Sequence, residues 1–499
     1  MSAVGSILTN TGALQALNSI ANTSSTNSSL ESQLSSGLSI NSPSDNPAGY
    51  ITAQGFTSQL NGLTQAISNA NQGVSLLQTA QGAIGQQIGV VQQLNSIAVQ
   101  ASNGTQTAAE SQSLQNLASK LTGQVSTIAN QTQFNNISLL DGSFQGKQFQ
   151  VGANEGQTLN LSIASTSAGS IGMNYAKAAG YTTGTANTAS GAPGSAQVTL
   201  GAPAAATGLF SGGAAASITG ANGGTASVTA AAAGTSAATL AAQVNAVSST
   251  TGVAAQASTS VTLSLNFGAT TPGMSFNLQS DTGSGTGLLG SAQSINAASA
   301  NQLVSQINGK SNTSGIVASL NSSGGKLTLT QTAGQNIDIT SFTGSGSLKT
   351  QSGAPAAIKS TAGSAVIQGQ MQLQSSGAFS VTNGANIGVA NSSTLASLSD
   401  INVSNTAGAS QAINVVKYAL AALNNQGGNL GAVQQSLTAN INNMNTTSQN
   451  LTTALGVVQD ANIPQVSNRL TQSQIQAQAG VAALKSSTQL QQSYLSLLP

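Results

Sequence analysis

The stretch LNGLTQAISNANQGVSLLQTAQGAIGQQIGVV, residues 60–91, decides the fold. Its apolar residues fall at Leu60, Leu63, Ile67, Ala70, Val74 and Leu77, then resume at Ile84, Ile88 and Val91, with Gln81 as a polar interruption. Alternating steps of three and four place these side chains on one line of an α-helix, the seam of a coiled coil. The stripe is narrow, about two positions in seven, so such a helix cannot bury itself and needs partner helices. An intramolecular bundle would satisfy that need as well as an assembly of chains.

Outward from this stretch the same pattern recurs. Leu114, Leu117, Leu121, Val125 and Ile128 form a second stripe. Near the other end, Leu430, Val433, Leu437, Ile441, Met444, Leu451, Leu455 and Val458 form a third, with Ser448 in one seam position. The extreme ends are weaker. Ile7, Leu8, Leu14, Leu17 and Ile20 lead into the Asn/Ser/Thr-rich run from Asn22 to Ser29, a poor helix by propensity. The tail carries Ile475, Val481, Leu484, Leu490, Leu495, Leu497 and Leu498. Both ends read as helices that form only against neighbours.

The centre differs. Gln148–Val151 and Thr158–Ile163, separated by a Gly-containing turn, read as a hairpin. From about Ser167 to Ser393 the chain is rich in Gly, Ala, Ser and Thr with short strand-like runs. It holds an internal repeat. Leu240 to Asn245, then Thr250, Gly252 and Val253, match Leu303 to Asn308, then Thr313, Gly315 and Ile316, at a constant offset of 63 residues. Each copy reads as a short helix, a turn at the Gly and paired strands, so paired small α+β lobes are expected. The fold class is therefore mainly α, with coiled-coil terminal regions and an inserted β-rich, α+β centre.

Composition excludes several functions. A chain of 499 residues exceeds one ordinary hydrophobic core. Only 4% of residues are charged, against roughly 25% in an average soluble domain. A net charge of +1 gives no footprint for nucleic acid or an anionic membrane. There is no Cys and no His, hence no thiol nucleophile, imidazole base or usual zinc ligand. Nothing is then expected to titrate between roughly pH 5 and 8. The carboxylates of Glu31, Asp45, Glu110, Asp141, Glu155, Asp281, Asp338, Asp400 and Asp460 are so scattered that a pair could meet only through tertiary folding. No catalytic group, cofactor or metal site is expected, and the chain reads as a non-enzyme. The start, Met1 to Ser6, lacks a secretory pattern, and no run approaches the ~18 apolar residues of a membrane span.

Specific motifs then carry a family resemblance. Leu34-Ser-Ser-Gly-Leu38-Ser-Ile-Asn-Ser-Pro-Ser-Asp45-Asn-Pro-Ala-Gly49 resembles the N-terminal signature of bacterial flagellins. Gly62 to Ala66, Asn69 to Asn71, Gln131 to Asn135, Leu139 to Gly142 and Gln150 to Asn154 continue it. Leu430 to Gln434, Asp460 to Ile463, Gln478 to Gly480 and Leu495 to Leu498 match the C-terminal half. The resemblance spans about residues 1–165 and 395–499, and the centre is similar to the inserted lobes of some flagellins.

The resemblance implies a subunit that polymerises with itself into the flagellar filament for motility, secreted without a signal peptide through a type III apparatus at the flagellar base. An export chaperone, hook-associated proteins and cap proteins are the implied partners. It implies five regions: an inner-core helix at 1–42, a helical shell with a hairpin at 43–166, variable outer domains at 167–394, the returning shell at 395–458 and a second inner-core helix at 459–499. Polymerisation and packing would then rest on the stripe residues above, from Leu34, Leu38, Leu60 and Leu63 through Leu484, Leu495 and Leu498. It also implies that the helix stretch Gln92–Val99 faces the animal flagellin receptor, where the family's Arg is replaced by Gln93, with Ser96 and Ile97 beside it.

Several positions depart from the family pattern. A basic residue is usual at Ser39 and Ser44, and an acid at Asn46 and Asn462. Pro464 stands where a helical residue is usual and should break or kink the tail helix near Ile463. Two alternatives remain. Pro43-Ser44-Asp45-Asn46-Pro47 leans toward a hook–filament junction protein, whereas Gln131–Asn135 and Leu495–Pro499 lean back toward a flagellin. A surface adhesin is suggested by the repetitive Ser/Thr/Gly-rich centre.

Overall fold

The computed structural model describes residues 10–177, 188–189, 197–200, 214–229, 235–268, 273–281, 288–321, 323–350, 357–358 and 364–495. Its helices are α1 (Thr11–Ser36), α2 (Pro47–Ala101), α3 (Ala108–Gln131), α4 (Ala237–Ala246), α5 (Ser248–Thr251), α6 (Ala300–Gly309), α7 (Ser311–Ser314), α8 (Thr406–Gln459) and α9 (Ile463–Leu495). Two compact units result. One comprises Met1–Thr79, Gln145–Ser162 and Leu430–Pro499, the other Ala80–Phe144 and Ile163–Asn429.

The long terminal helices begin in the same way. Asn10 accepts from the Ala13 N–H at 2.8 Å, Asn46 from Gly49 at 3.0 Å, Asn405 from Gly408 at 2.8 Å and Asn462 from Gln465 at 3.3 Å. Each amide oxygen satisfies one of the donors that a helix start leaves unpaired, without adding charge. The charge-poor chain thus caps its helices with Asn where Asp would serve. α3 instead carries a capping box between Thr107 and Glu110.

In the first unit α1 and α9 pair, and the Asn/Ser/Thr-rich stretch 22–29 is helical within that pair. Packing overrides its weak propensity. The hairpin Lys147–Gln150 with Thr158–Leu161 lies on α2. A Cβ on Gly62 would come within 2.9 Å of the Ala153 Cβ, and Asn69 donates to the Gln150 carbonyl at 3.4 Å.

The buried face of α2 keeps part of the expected stripe, including Ala70, and exchanges the rest for a neighbouring helix column. Leu63, Leu77, Ile84 and Val91 are buried, but the intervening buried positions are Ala66, Ala80, Gln87 and Leu94. Leu60, Ile67, Val74, Gln81 and Ile88 are half-buried. In α3 the buried residues are Ser111, Ala118, Thr122, Val125 and Ala129, while Leu117 is exposed. Gln87, fully buried, is the polar seam residue. Its Nε2 donates to the Val125 carbonyl at 3.0 Å and the Thr166 carbonyl at 3.2 Å.

The central region of the second unit has two apolar cores strung on one strand, Ala254–Asn266. Its first residues pair with Gln370–Ser375 beside the core of Leu240, Val244, Val253 and Leu373. Its remainder pairs with Lys326–Gln331 and Ser347–Thr350 in the core of Leu263, Leu303, Ile307, Phe276 and Phe342. The sequence repeat is a structural one. Asn245 exchanges two hydrogen bonds with the backbone of Ala255, at 3.0 and 2.8 Å. Asn308, at the equivalent place in the second copy, does the same with Ala318, at 2.9 and 2.7 Å. Gly252 and Gly315 end the copies in the left-handed conformation, with φ of 68° and 67°, a geometry glycine adopts without steric cost.

A second antiparallel sheet runs Leu288–Ala297, Met274–Asp281, Asn336–Thr343, Ala365–Gln368, Gln197–Leu200 and Thr188–Ala189. Here the structure corrects one expectation. Burial, with Asp281 nearby, pushes the Asp338 carboxyl up to about 7, so a group does titrate near neutrality despite the absence of His.

Candidate assembly interface

The α1–α9 pair is held by a seam that mixes small, polar and a few large apolar residues. Gly480 faces Ile20 and Gly12 faces Ser487. Leu30, Val466 and Ser473 are buried along the line. Asn10 donates to the Ser487 carbonyl at 3.4 Å, and the Ser487 hydroxyl returns a bond to Asn10 Oδ1 at 3.2 Å. Below the pair, the chain segments around Leu38 and Asp460 form an antiparallel bridge. Ser39 N–H donates to the Gln459 carbonyl at 2.6 Å and Ala461 N–H to the Gly37 carbonyl at 2.9 Å.

The signature loop closes this junction. Asp45 Oδ2 accepts from the Asn41 N–H at 2.9 Å, the Ser42 N–H at 2.8 Å and the Ser42 hydroxyl at 3.1 Å. The Ser42 and Asn41 amides hold the carboxyl below the usual range. Asn46 caps α2 with Pro47 as its first residue, where a missing N–H costs nothing. Proline plays the same part at the tail. The helical break lies at Asp460–Asn462, Asn462 accepts from Gln465, and Pro464 sits in the first turn of α9. Ser39, Ser44, Asn46 and Asn462, where the resemblance implies charged residues, thus serve as turn hydroxyls and helix caps.

Ile20, Leu30 and Val466 enter the seam, but other large apolar side chains face outward. In this unit Leu14 is 52% exposed, Leu17 50%, Leu34 38%, Ile475 61%, Val481 56% and Leu490 54%, with Ile51 at 73% and Val457 at 83%. A soluble monomer gains nothing from such side chains, and burying each would contribute roughly 1.5–3 kcal/mol. Of the packing residues singled out in the sequence, Leu63, Leu77, Ile84, Val91, Leu430 and Leu437 are buried. Leu38, Val433, Ile441, Leu451, Leu455 and Leu484 are half-buried, as are Leu60, Ile67, Val74 and Ile88. Leu495 ends α9, and Leu498 lies outside the described residues. On α2, Gln93 and Ser96 are exposed, whereas Ile97 is buried. The Asn caps escaped the sequence reading, although Asn-Pro before a periodic run is a recognisable helix start.

Among the described residues no three acidic side chains gather as a metal site, and no helix is long and apolar enough to cross a membrane. Paired terminal helices with an unpartnered apolar face define a structural, self-associating class of chain. Residues 7–145 match the bacterial flagellin N-terminal helical region, 413–498 the bacterial flagellin C-terminal helical region, and 217–267 the flagellin hook IN motif. The chain is 36% identical over 491 residues to the B-type flagellin of Pseudomonas aeruginosa, covering 95% of each. It is 38% identical over 167 residues to the phase 1 flagellin of Salmonella naestved, covering 34% of this chain and 33% of that one. A solved structure of FliC from Burkholderia pseudomallei aligns at 20% identity with a TM-score of 0.30, over 73% of this chain and 99% of that one. The chain belongs to the flagellin family, the structural subunits of the bacterial flagellar filament. The IN match covers the first copy of the internal repeat, whose geometry recurs 63 residues later in α6 and α7.

Proposed function

We propose that the apolar face of the α1–α9 pair is the polymerisation surface, with Leu14, Leu17, Ile475, Val481 and Leu490 as its anchors. The exposure of these side chains on helices whose own seam is already filled is the observation that carries this reading. Neighbouring copies cover them, and the stripe residues Leu60, Ile67, Val74, Ile88, Val433 and Ile441, half-buried in the single chain, supply the next ring of contact. The lobes of the 167–394 region face outward and take no part in the lattice. Export is signal-less, through the flagellar base with a chaperone, and the chain meets hook-associated and cap proteins at the filament ends. It works as scaffold, without catalysis, and outside the cell.

Family membership with the B-type relative over nearly the whole chain favours filament over junction protein. The deciding experiment is electron microscopy of purified, concentrated protein. Long filaments of this single chain are expected, and persistent short oligomers would overturn the reading in favour of the junction protein. Double replacement of Leu14 and Leu17 by Ser should raise the critical concentration for assembly at least tenfold.

A further inference from the structure

Charge is unevenly placed in the central region. Between residues 156 and 399 the sequence carries Lys177, Lys310, Lys326, Lys349 and Lys359 against only two carboxylates, Asp281 and Asp338. Both carboxylates are buried, Asp338 at 0% and Asp281 at 4% exposed. Lys359 lies outside the described residues. Among the described residues, the charges this region presents to solvent are therefore all positive. Two of the lysines share one row of a sheet. The strand Ala254–Asn266 runs between Lys326–Gln331 and Ser347–Thr350, and Ser264 stands opposite Lys326 on one side and Lys349 on the other. Residues directly opposite in antiparallel strands point to the same face. The two lysines thus stand two strand spacings apart, about 10 Å, with the Ser264 hydroxyl between them. Leu263, Leu327 and Leu348 alternate with this row and enter the apolar core. The lysine row belongs to the opposite face, where Thr262 and Thr328 share a hydrogen bond at 3.1 Å and Ser319 and Lys349 are exposed.

We propose that this face binds an acidic polysaccharide, whose carboxylate or sulfate groups pair with Lys326 and Lys349 and whose hydroxyls exchange hydrogen bonds with Thr262, Ser264 and Thr328. Charge complementarity sets the sign of the partner, because both carboxylates of the region are hidden from its surface. The residue types on the face set its kind. Single-stranded nucleic acid is held by stacking on aromatic rings, and among the described residues this face carries none. Phosphate recognition favours the forked guanidinium, yet Arg469, in α9, is the only arginine of the chain. A lipid surface asks for apolar side chains beside the basic ones, and among the described residues Val317 is the only large apolar side chain exposed on this face. Two lysines alone bind weakly. Repetition along a filament strengthens them, because a polymer held at one subunit meets the next at high effective concentration. That gain rests on the filament reading above, whereas the site in the single chain does not.

The test is binding of the full-length protein, as monomer and as filaments, to immobilised polygalacturonate and dextran sulfate, with neutral dextran as the control surface. The monomer should bind the acidic polymers and not the neutral one, and high salt should weaken the binding. Combined Lys326→Gln and Lys349→Gln should weaken it at least tenfold and leave the melting temperature unchanged. Lys120→Gln, on the exposed side of α3, should have no effect. Filaments should bind at least tenfold more tightly than monomer. Absence of salt-sensitive binding by the monomer and by filaments would overturn the proposal, as would binding undiminished in the double variant. Tighter binding to single-stranded DNA than to either polysaccharide would overturn it in favour of nucleic acid. Binding by monomer that forms no filaments would instead sink the filament reading and leave the site standing.

Discussion

Gly480 lies against Ile20 across the α1–α9 seam, so close that a Cβ there would stand 3.0 Å from the Ile20 Cγ1. The two helices approach at a point where one carries no side chain. Replacing Gly480 by Val introduces an isopropyl group, a Cβ and two methyls, into this contact, and overpacking of this kind costs about 1–3 kcal/mol. Gly480→Val is expected to lower the helicity of the terminal pair and abolish filaments. The strand signal in circular dichroism should be unchanged. Sedimentation of assembled protein checks the loss of filaments, and circular dichroism the loss of helicity.

Truncation before Ile463 removes α9, which among the described residues packs chiefly on α1. The cores around Leu240 and Leu303 contain no residue of that helix. The shortened chain should therefore keep its outer lobes and lose polymerisation. Normal filaments from it would refute the assignment of the terminal pair to assembly.

The two copies of the repeat offer an internal comparison. Asn308 and Asn245 are both exposed, but the Ala318 that Asn308 clamps is buried, whereas the Ala255 that Asn245 clamps is half-buried. Removing the Asn308 amide leaves backbone groups of the buried Ala318 unsatisfied at a cost of about 1–3 kcal/mol, whereas water reaches those of Ala255 more readily. Denaturant unfolding should show Asn308→Ala more destabilising than Asn245→Ala by roughly 1 kcal/mol. Equal losses would contradict the role given to burial.

Asp45 is fully exposed, but the Ser42 and Asn41 amides hold its folded pKa below the ordinary value. A depressed carboxyl contributes stability above its unfolded pKa and loses it as pH falls through the folded one. The signature loop should thus loosen only in strong acid, below about pH 4. Asp45→Asn should flatten the acid limb of a melting-temperature profile without altering the profile above pH 5. With 4% charged residues overall, few other ion pairs are available to be lost, and filaments should remain sedimentable at pH 4.

Gln93 and Ser96 are exposed on α2, while Ile97 is buried and unavailable to a partner. If the receptor-facing stretch is placed as the family resemblance implies, the missing Arg removes an anchor worth upward of ~2 kcal/mol. Monomer should activate the animal flagellin receptor weakly, and Gln93→Arg should strengthen it. A cell-based reporter assay checks both, and full activity of the unaltered monomer would count against the placement.

Local sequence determined the existence and ends-versus-centre placement of the long helices, because periodic apolar residues over many turns leave few other conformations that can hide them. It also determined the repeat, since Leu240 and Leu303 each need the same helix, turn and strand to be buried. Which column of α2 lies innermost was decided only in three dimensions. Ala66 and Ile67 lie on neighbouring columns, and hydrophobicity alone favours the larger residue, yet Ala66 is the buried one. The outward face of Leu14 and Leu17 follows from the same choice in α1. The meeting of Asp281 and Asp338 was likewise invisible, because strand pairing across 57 residues depends on the register of the whole sheet and not on any local signal.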